Sequence, residues 1–195
     1  MPNAITMLKA DHANVRRLMR ELSDTTSRAT KQRERLVAEN ERELKIHSQL
    51  EEEIFYPAFK AAVKGNEEGE DLFYEANEEH HVVDMVLPTL KADPKKSKEF
   101  EAKVKVLQDL LDHHIREEET EMFPQARQSM GEARLREIGD EMQARKEILM
   151  SEWNHPLLRP VKKLQSAAHK LLPLKAKTAK GNAIAKAREQ RGDAR

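Results

Sequence analysis

The 195-residue chain contains no cysteine. Disulfides, thiolate metal sites and cysteine nucleophiles are therefore excluded. Aromatic residues make up only 4%, and glycine (6) and proline (8) are few, a balance that favours helix over sheet. No stretch approaches the roughly 18 apolar residues of a membrane-spanning helix. The first residues, Met1 to Thr6, have neither the basic region nor the apolar run of a secretory signal. These absences predict a cytoplasmic protein with no membrane span.

What remains is rich in Leu, Ala, Glu, Lys and Arg. The charged fraction is 36% and the mean hydropathy −0.83, values that suit narrow apolar stripes on otherwise solvated helices. The formal net charge of zero conceals an asymmetry. Residues 154–195 hold 11 Lys or Arg against 2 Asp or Glu, which leaves 24 against 33 in residues 1–153. This split predicts an acidic helical domain over 1–153 and a basic, largely disordered tail over 154–195. A sharper alternative for the tail is contact with nucleic acid or an anionic surface, although no aromatics are interleaved with its basic residues for base stacking.

Helical periodicity divides the domain. The first helix, 3–22, carries Ile5, Leu8, His12, Val15, Leu18, Met19 and Leu22 at steps of three or four. A second, 31–63, carries Leu36, Leu44, His47, Glu51 and Ile54, with Pro57 expected to kink it or end a segment of it. Gly65 and Gly69 mark a loop. A third, 71–91, carries Leu72, Ala76, His80, Val83, Leu87 and Leu90; a fourth, 97–129, carries Phe100, Val104, Leu107, Leu111, His114 and Glu118. Gly131 ends the fourth, and a fifth, 132–153, carries Leu135, Ile138, Met142, Leu149 and Trp153.

One motif occurs twice. His47 to Glu52 and His114 to Glu119 both read His-x-x-x-Glu-Glu, and Pro57 and Pro124 each lie ten residues beyond the histidine. His12 precedes His47 by 35 residues and His80 precedes His114 by 34. The repeat predicts two similar helical hairpins in an all-α, up-down-up-down four-helix bundle, with the fifth helix following. A histidine and a glutamate four apart share one helical face.

Two histidine doublets need a register. His80 shares its face with Val83 and Leu87, whereas His81 shares its face with Asp84 and Pro88, so His80 is taken as the inward residue. In the fourth helix, Val106, Leu110, His113 and Glu117 form a second stripe beside Leu107, Leu111, His114 and Glu118. The matching distance to the prolines selects His114 and Glu118.

Six polar residues thus occupy core stripes: His12, His47, Glu51, His80, His114 and Glu118. An uncompensated buried carboxylate costs several kcal/mol, and no Lys or Arg stands at a matching stripe position. A pair of metal ions would neutralise both carboxylates and use the imidazoles. Nitrogen and oxygen donors without sulfur suit iron, zinc or manganese, and carboxylates can bridge two ions.

The ordered set His, His-x-x-x-Glu, His, His-x-x-x-Glu over residues 1–130 resembles the hemerythrin-like family of HHE cation-binding domains. That resemblance implies a non-haem centre of two iron ions, Glu51 and Glu118 bridging, and His12, His47, His80 and His114 as terminal ligands. It also implies a small ligand at open coordination positions: oxygen, nitric oxide or peroxide. Oxygen-carrying members place two histidines four apart on the third helix. Here Ala76 and Asn77 stand four before His80 and His81, which turns the reading from oxygen carriage toward sensing, iron handling or catalase-like peroxide removal. Tyr56, Phe55, Phe59 and Phe123 read as core packing, with a redox role near the metals as the alternative for Tyr56 or Tyr74. Glu52, Glu53, Glu117 and Glu119 read as solvated charges, with hydrogen bonding to a ligand histidine as the alternative for one of them.

Overall fold

A computed structural model describes residues 2–155; the basic tail and its suggested contacts lie outside the described residues. The elements are α1 (Ala4–Ser23), α2 (Thr30–Leu50), α3 (Tyr56–Ala62), α4 (Glu67–Ala92), α5 (Lys98–Glu117) and α6 (Phe123–Asn154). Two π-helical turns, Glu51–Phe55 and Glu118–Met122, join α2 to α3 and α5 to α6. The described residues contain no strand. No helix among them is long and apolar enough to cross a membrane.

Local chemistry sets the helix starts. Asn3 accepts the Thr6 N–H at 2.9 Å at the start of α1, and Ser97 accepts the Phe100 N–H at 3.1 Å at the start of α5. Both satisfy backbone donors that an N-terminal turn leaves open. α4 begins earlier than the periodicity predicted. Asn66 caps it, Glu67, Glu68 and Glu70 lie in its first turn, and acidic side chains favour the positive end of a helix dipole. Gly69, expected in a loop, is helical. A Cβ there would stand 2.8 Å from the Val63 Cβ, so glycine lets the start of α4 press on the end of α3.

α1, α2, α4 and α5 form a ring in which α1 packs on α2 and α5, and α4 packs on α2 and α5. α6 lies against α1, α2 and α3. Gly131, with φ 75° and ψ 164°, interrupts α6 where the sequence predicted a break; a side chain would be strained in that conformation. The predicted stripe of the last helix is buried at Leu135, Ile138, Met142 and Leu149.

Pro57, expected to kink its helix or end a segment of it, lies where one segment gives way to the next, and Pro124 is placed alike. The device is a π turn: the Tyr56 N–H bonds to the Glu51 carbonyl and the Phe123 N–H to the Glu118 carbonyl, five residues back in each case. Each proline, lacking an N–H, follows directly where this wider turn closes. One extra residue per turn rotates everything beyond it by roughly 100°. That slip is why Phe55 and Phe59 are fully buried, whereas Ile54, expected in the stripe, is only partly buried.

The apolar interior consists of two clusters. One gathers Ile5, Leu8, Leu50, Phe55, Tyr56, Phe59, Phe123 and Ile138. The other gathers Val15, Leu18, Leu36, Val83, Leu87, Phe100, Leu107 and Leu111. His12 follows Leu8 and precedes Val15, and the other predicted polar core residues fall at the same junction along their helices. A polar layer therefore interrupts the core.

α6 reaches the start of α1 at Gly139, where a Cβ would stand 2.7 Å from the Pro2 carbonyl oxygen and 2.8 Å from the Ala4 nitrogen. Backbone cannot yield as a flexible side chain can. Gly139→Ala is expected to destabilise the fold by about 1–3 kcal/mol, read as a lower urea midpoint with an unchanged slope.

Candidate metal centre

The structure brings the six predicted side chains together and buries all of them: His12, Glu51 and Glu118 almost completely, and His47, His80 and His114 to within 5% exposure. His81 and His113, the discarded members of each doublet, are 61% and 41% exposed. The alternating register thus separates inner from outer imidazoles on α4 and α5.

The pairing crosses between hairpins. Glu51 has His47 Nε2 of its own helix at 3.2 Å and His80 Nε2 of the other hairpin at 3.3 Å. Glu118 has His114 Nε2 of its own helix at 3.6 Å and His12 Nε2 of the other hairpin at 3.1 Å. Donor atoms of His12, His47, Glu51 and Glu118 lie within 4.8 Å of one another, as do those of Glu51, His80 and His114. Glu51 belongs to both groups.

Seven buried nitrogen and oxygen atoms in this layer lack a hydrogen-bond partner: His12 Nε2, both His47 nitrogens, both Glu51 oxygens, His114 Nε2 and Glu118 Oε2. Buried polar atoms are rarely left so. Two carboxylates and imidazole nitrogens converging without a Lys or Arg make a donor set that fits metal ions.

The electrostatics are those of an uncompensated site. Burial, reinforced by the Glu118 charge, pushes the Glu51 carboxyl well above the usual range. Burial would raise Glu118 too, but the charges of His114 and His12 hold it below that range. Burial pulls the His12 imidazole down, and its contacts with Glu118 and Glu119 outweigh that and raise it to about 9. Burial and the His12 charge push His47 well below the ordinary histidine value.

The outward nitrogens of three histidines meet carboxylates. His12 Nδ1 is 2.9 Å from Glu119 Oε1, His80 Nδ1 is 3.0 Å from Glu52 Oε1 and His114 Nδ1 is 2.8 Å from Glu79 Oε2. Such partners fix the tautomer and ring orientation of a metal-binding histidine. Glu52 and Glu119, read as solvated charges with partnering of a histidine as the alternative for one of them, are each the second glutamate of the repeated doublet, and each reaches a histidine of the opposite hairpin. The repeat itself carried that signal. Glu79 was missed, although it stands one before His80 as Asp11 stands one before His12; in the structure Asp11 pairs instead with Lys146.

Tyr56, read as core packing with a role beside the metals as the alternative, is part of the core and also meets the polar layer. Its hydroxyl donates to Glu118 Oε1 at 2.7 Å and lies 3.4 Å from His80 Nε2. The equivalent residue of the second repeat is Phe123, whose ring stacks on His12 with centroids 5.7 Å apart. The pseudo-symmetric hairpins therefore present a phenol on one side of the layer and a phenyl on the other. Beside His47, His80 and His114 lies a cavity of about 10 Å³, walled by Val15, Leu44, Val83 and Leu111. That is close to the smallest space that holds a water.

The model of the Hemerythrin HHE cation binding domain matches residues 3–126. An uncharacterized protein of Mycobacterium tuberculosis, Rv2633c, is 32% identical over 148 residues, 75% of this chain and 87% of that protein. An uncharacterized protein of Mycobacterium bovis matches with the same identity and coverage. The crystal structure of a Hemerythrin HHE cation binding domain-containing protein from Mycobacterium kansasii, a homologue of Rv2633c, is 29% identical. It has a TM-score of 0.69 and covers 88% of this chain and 100% of that one.

Proposed function

Because this chain belongs to the hemerythrin HHE cation-binding domain family, we propose that its polar layer holds two non-haem iron ions and binds or senses oxygen, nitric oxide or peroxide. The observation that carries this reading is the set of buried, partnerless donor atoms shared between two groups through Glu51. In this reading His12, His47 and Glu118 serve one ion, His80 and His114 the other, and Glu51 both. Glu118, 3.6 Å from His114, reaches toward the second group as well. When bound, iron supplies redox chemistry and open coordination positions that a wholly organic site lacks.

The chain's own residues set the conditions for a ligand. The aliphatic cavity beside His47, His80 and His114 admits only something small and keeps bulk water from the imidazoles. Tyr56 offers a proton or hydrogen bond at its hydroxyl and fixes one oxygen of Glu118. Glu52, Glu79 and Glu119 orient His80, His114 and His12 from outside.

Chain expressed with iron is expected to hold about two irons. Its reduced form is expected to change its optical spectrum on adding oxygen, nitric oxide or peroxide separately, and the one that acts at the lowest concentration identifies the ligand. A reduced, iron-loaded protein with an unaltered spectrum in all three additions would refute the reading.

Peroxide removal is a second reading, favoured by the Tyr56 hydroxyl against Glu118, a proton donor within the layer. Disproportionation takes two peroxide molecules to one oxygen and two waters, so protons must move between the peroxide molecules. Tyr56→Phe is expected to slow oxygen evolution by about 10²-fold with the iron content unchanged. Equal rates in both proteins would remove Tyr56 from the reaction.

A further inference from the structure

Outside the inner layer, the discarded register of α5 does something of its own. His113 and Glu117 are four apart on α5, and Glu75 and Glu79 are four apart on α4. One donor atom each from Glu75, His113 and Glu117 lies within 4.8 Å of the others. His113 Nε2 is 3.2 Å from Glu117 Oε1 and 3.7 Å from Glu79 Oε1. We propose that Glu75, His113 and Glu117, closed by Glu79, form an outer, exchangeable site for a divalent transition-metal ion.

The donors are mixed: an imidazole nitrogen facing carboxylate oxygens on two packed helices, the composition that suits zinc, manganese or ferrous iron. An exposed His–Glu pair on a single helix would contribute only a few tenths of a kcal/mol and would not account for Glu75 and Glu79 arriving from α4. No Lys or Arg among the described residues forms an ion pair with Glu75, Glu79 or Glu117. An open groove lined by Glu67, Glu68, Asp71, Glu75 and Glu121 adjoins the cluster, and a groove of one charge raises the local concentration of cations.

Glu79 ties the outer cluster to the inner layer. One of its oxygens is 2.8 Å from His114 Nδ1 and the other faces His113. Orienting His114 needs only the first. Arg116 donates to His113 Nδ1 at 2.7 Å. A metal on Nε2 requires the proton on Nδ1, so the exposed Arg116 must turn away, and it competes with the ion.

The test is calorimetric titration of full-length, iron-loaded protein with zinc chloride alone, with iron content measured before and after. The expected result is a single zinc per chain with no iron released. Binding is expected to weaken by about tenfold or more in His113→Ala and in Glu75→Gln, to tighten in Arg116→Ala, and to stay unchanged in His81→Ala. Zinc uptake that matches iron release, or equal binding by wild type and His113→Ala, would overturn the site. The result is independent of which small molecule the inner layer takes.

Discussion

Glu118→Ala is expected to strip the polar layer of metal. Glu118 approaches histidines from both hairpins, His114 at 3.6 Å and His12 at 3.1 Å, and its other oxygen accepts from Tyr56. Alanine removes an anionic donor that faces both histidines and leaves Glu51 as the remaining carboxylate of the six predicted residues. Removing one partner from a buried charged cluster costs about 3–5 kcal/mol, or roughly 10²–10⁴-fold in affinity. After dialysis against a mild chelator the variant should keep under half of the wild-type iron, whereas His81→Ala should keep all of it. Glu79→Ala, which only unties His114, should fall between them, at about 10–100-fold weaker binding. A Glu118→Ala protein with wild-type iron content would exclude Glu118 as a ligand.

The second prediction is an asymmetry between two glutamates that the repeat presents as equivalent. In protein stripped of metal by a strong chelator, Glu51→Met is expected to stabilise and Glu118→Met to destabilise. Both Glu51 oxygens lack a hydrogen-bond partner, and burial beside the Glu118 charge pushes its carboxyl well up. Replacing a buried carboxyl that burial keeps protonated and that has no hydrogen-bond partner by an apolar group of similar volume gains about 1–3 kcal/mol. Glu118 is held below the usual carboxylate range by His114 and His12 against the pull of burial. Its loss strands the Tyr56 hydroxyl and takes from His12 the carboxylate that holds its imidazole protonated against burial, at about 3–5 kcal/mol. Urea midpoints of the chelated proteins measure both; shifts of the same sign would refute the asymmetry.

The pH dependence of the chelated protein follows from the same groups. His12 is raised in the folded state from 6.5 to about 9, so the stability it contributes is complete below pH 6.5 and is lost as pH rises through 9. Glu51 is also raised, so its ionisation opposes folding as pH rises above 4.5. His47, held low, and Glu118, held low, act on the acid side. Between pH 7 and 9 the chelated protein therefore loses stability. Metal binding displaces the same protons and strengthens over that range, so the gap in melting temperature between loaded and chelated protein widens.

Helix placement and the inward set of side chains were legible from periodicity alone. Period 3.6 forces residues three or four apart onto one face, and a polar residue on an apolar stripe marks itself. His80 over His81 followed from Val83 and Leu87. His114 over His113 followed from the shared distance to Pro57 and Pro124. Both inward histidines are buried as that reasoning required. The last step of the second helix stripe did not follow, because a π turn changes the period, and Ile54 yielded its place to Phe55.

The sequence by itself determined the bundle, the two hairpins and the six polar residues that interrupt its core. Those properties depend on spacing along one chain. Only the tertiary structure decided that each glutamate meets the histidine of the opposite hairpin. The same holds for Glu79 reaching from α4 to His114, and for Tyr56 and Phe123, which hold the same place in the repeat but face different histidines, His80 and His12. These depend on distances between helices, which no periodicity within one helix contains. His113 and Glu117 show it most directly: on the sequence they compete with His114 and Glu118 for one place, and in the folded protein His113 and His114 face different oxygens of Glu79.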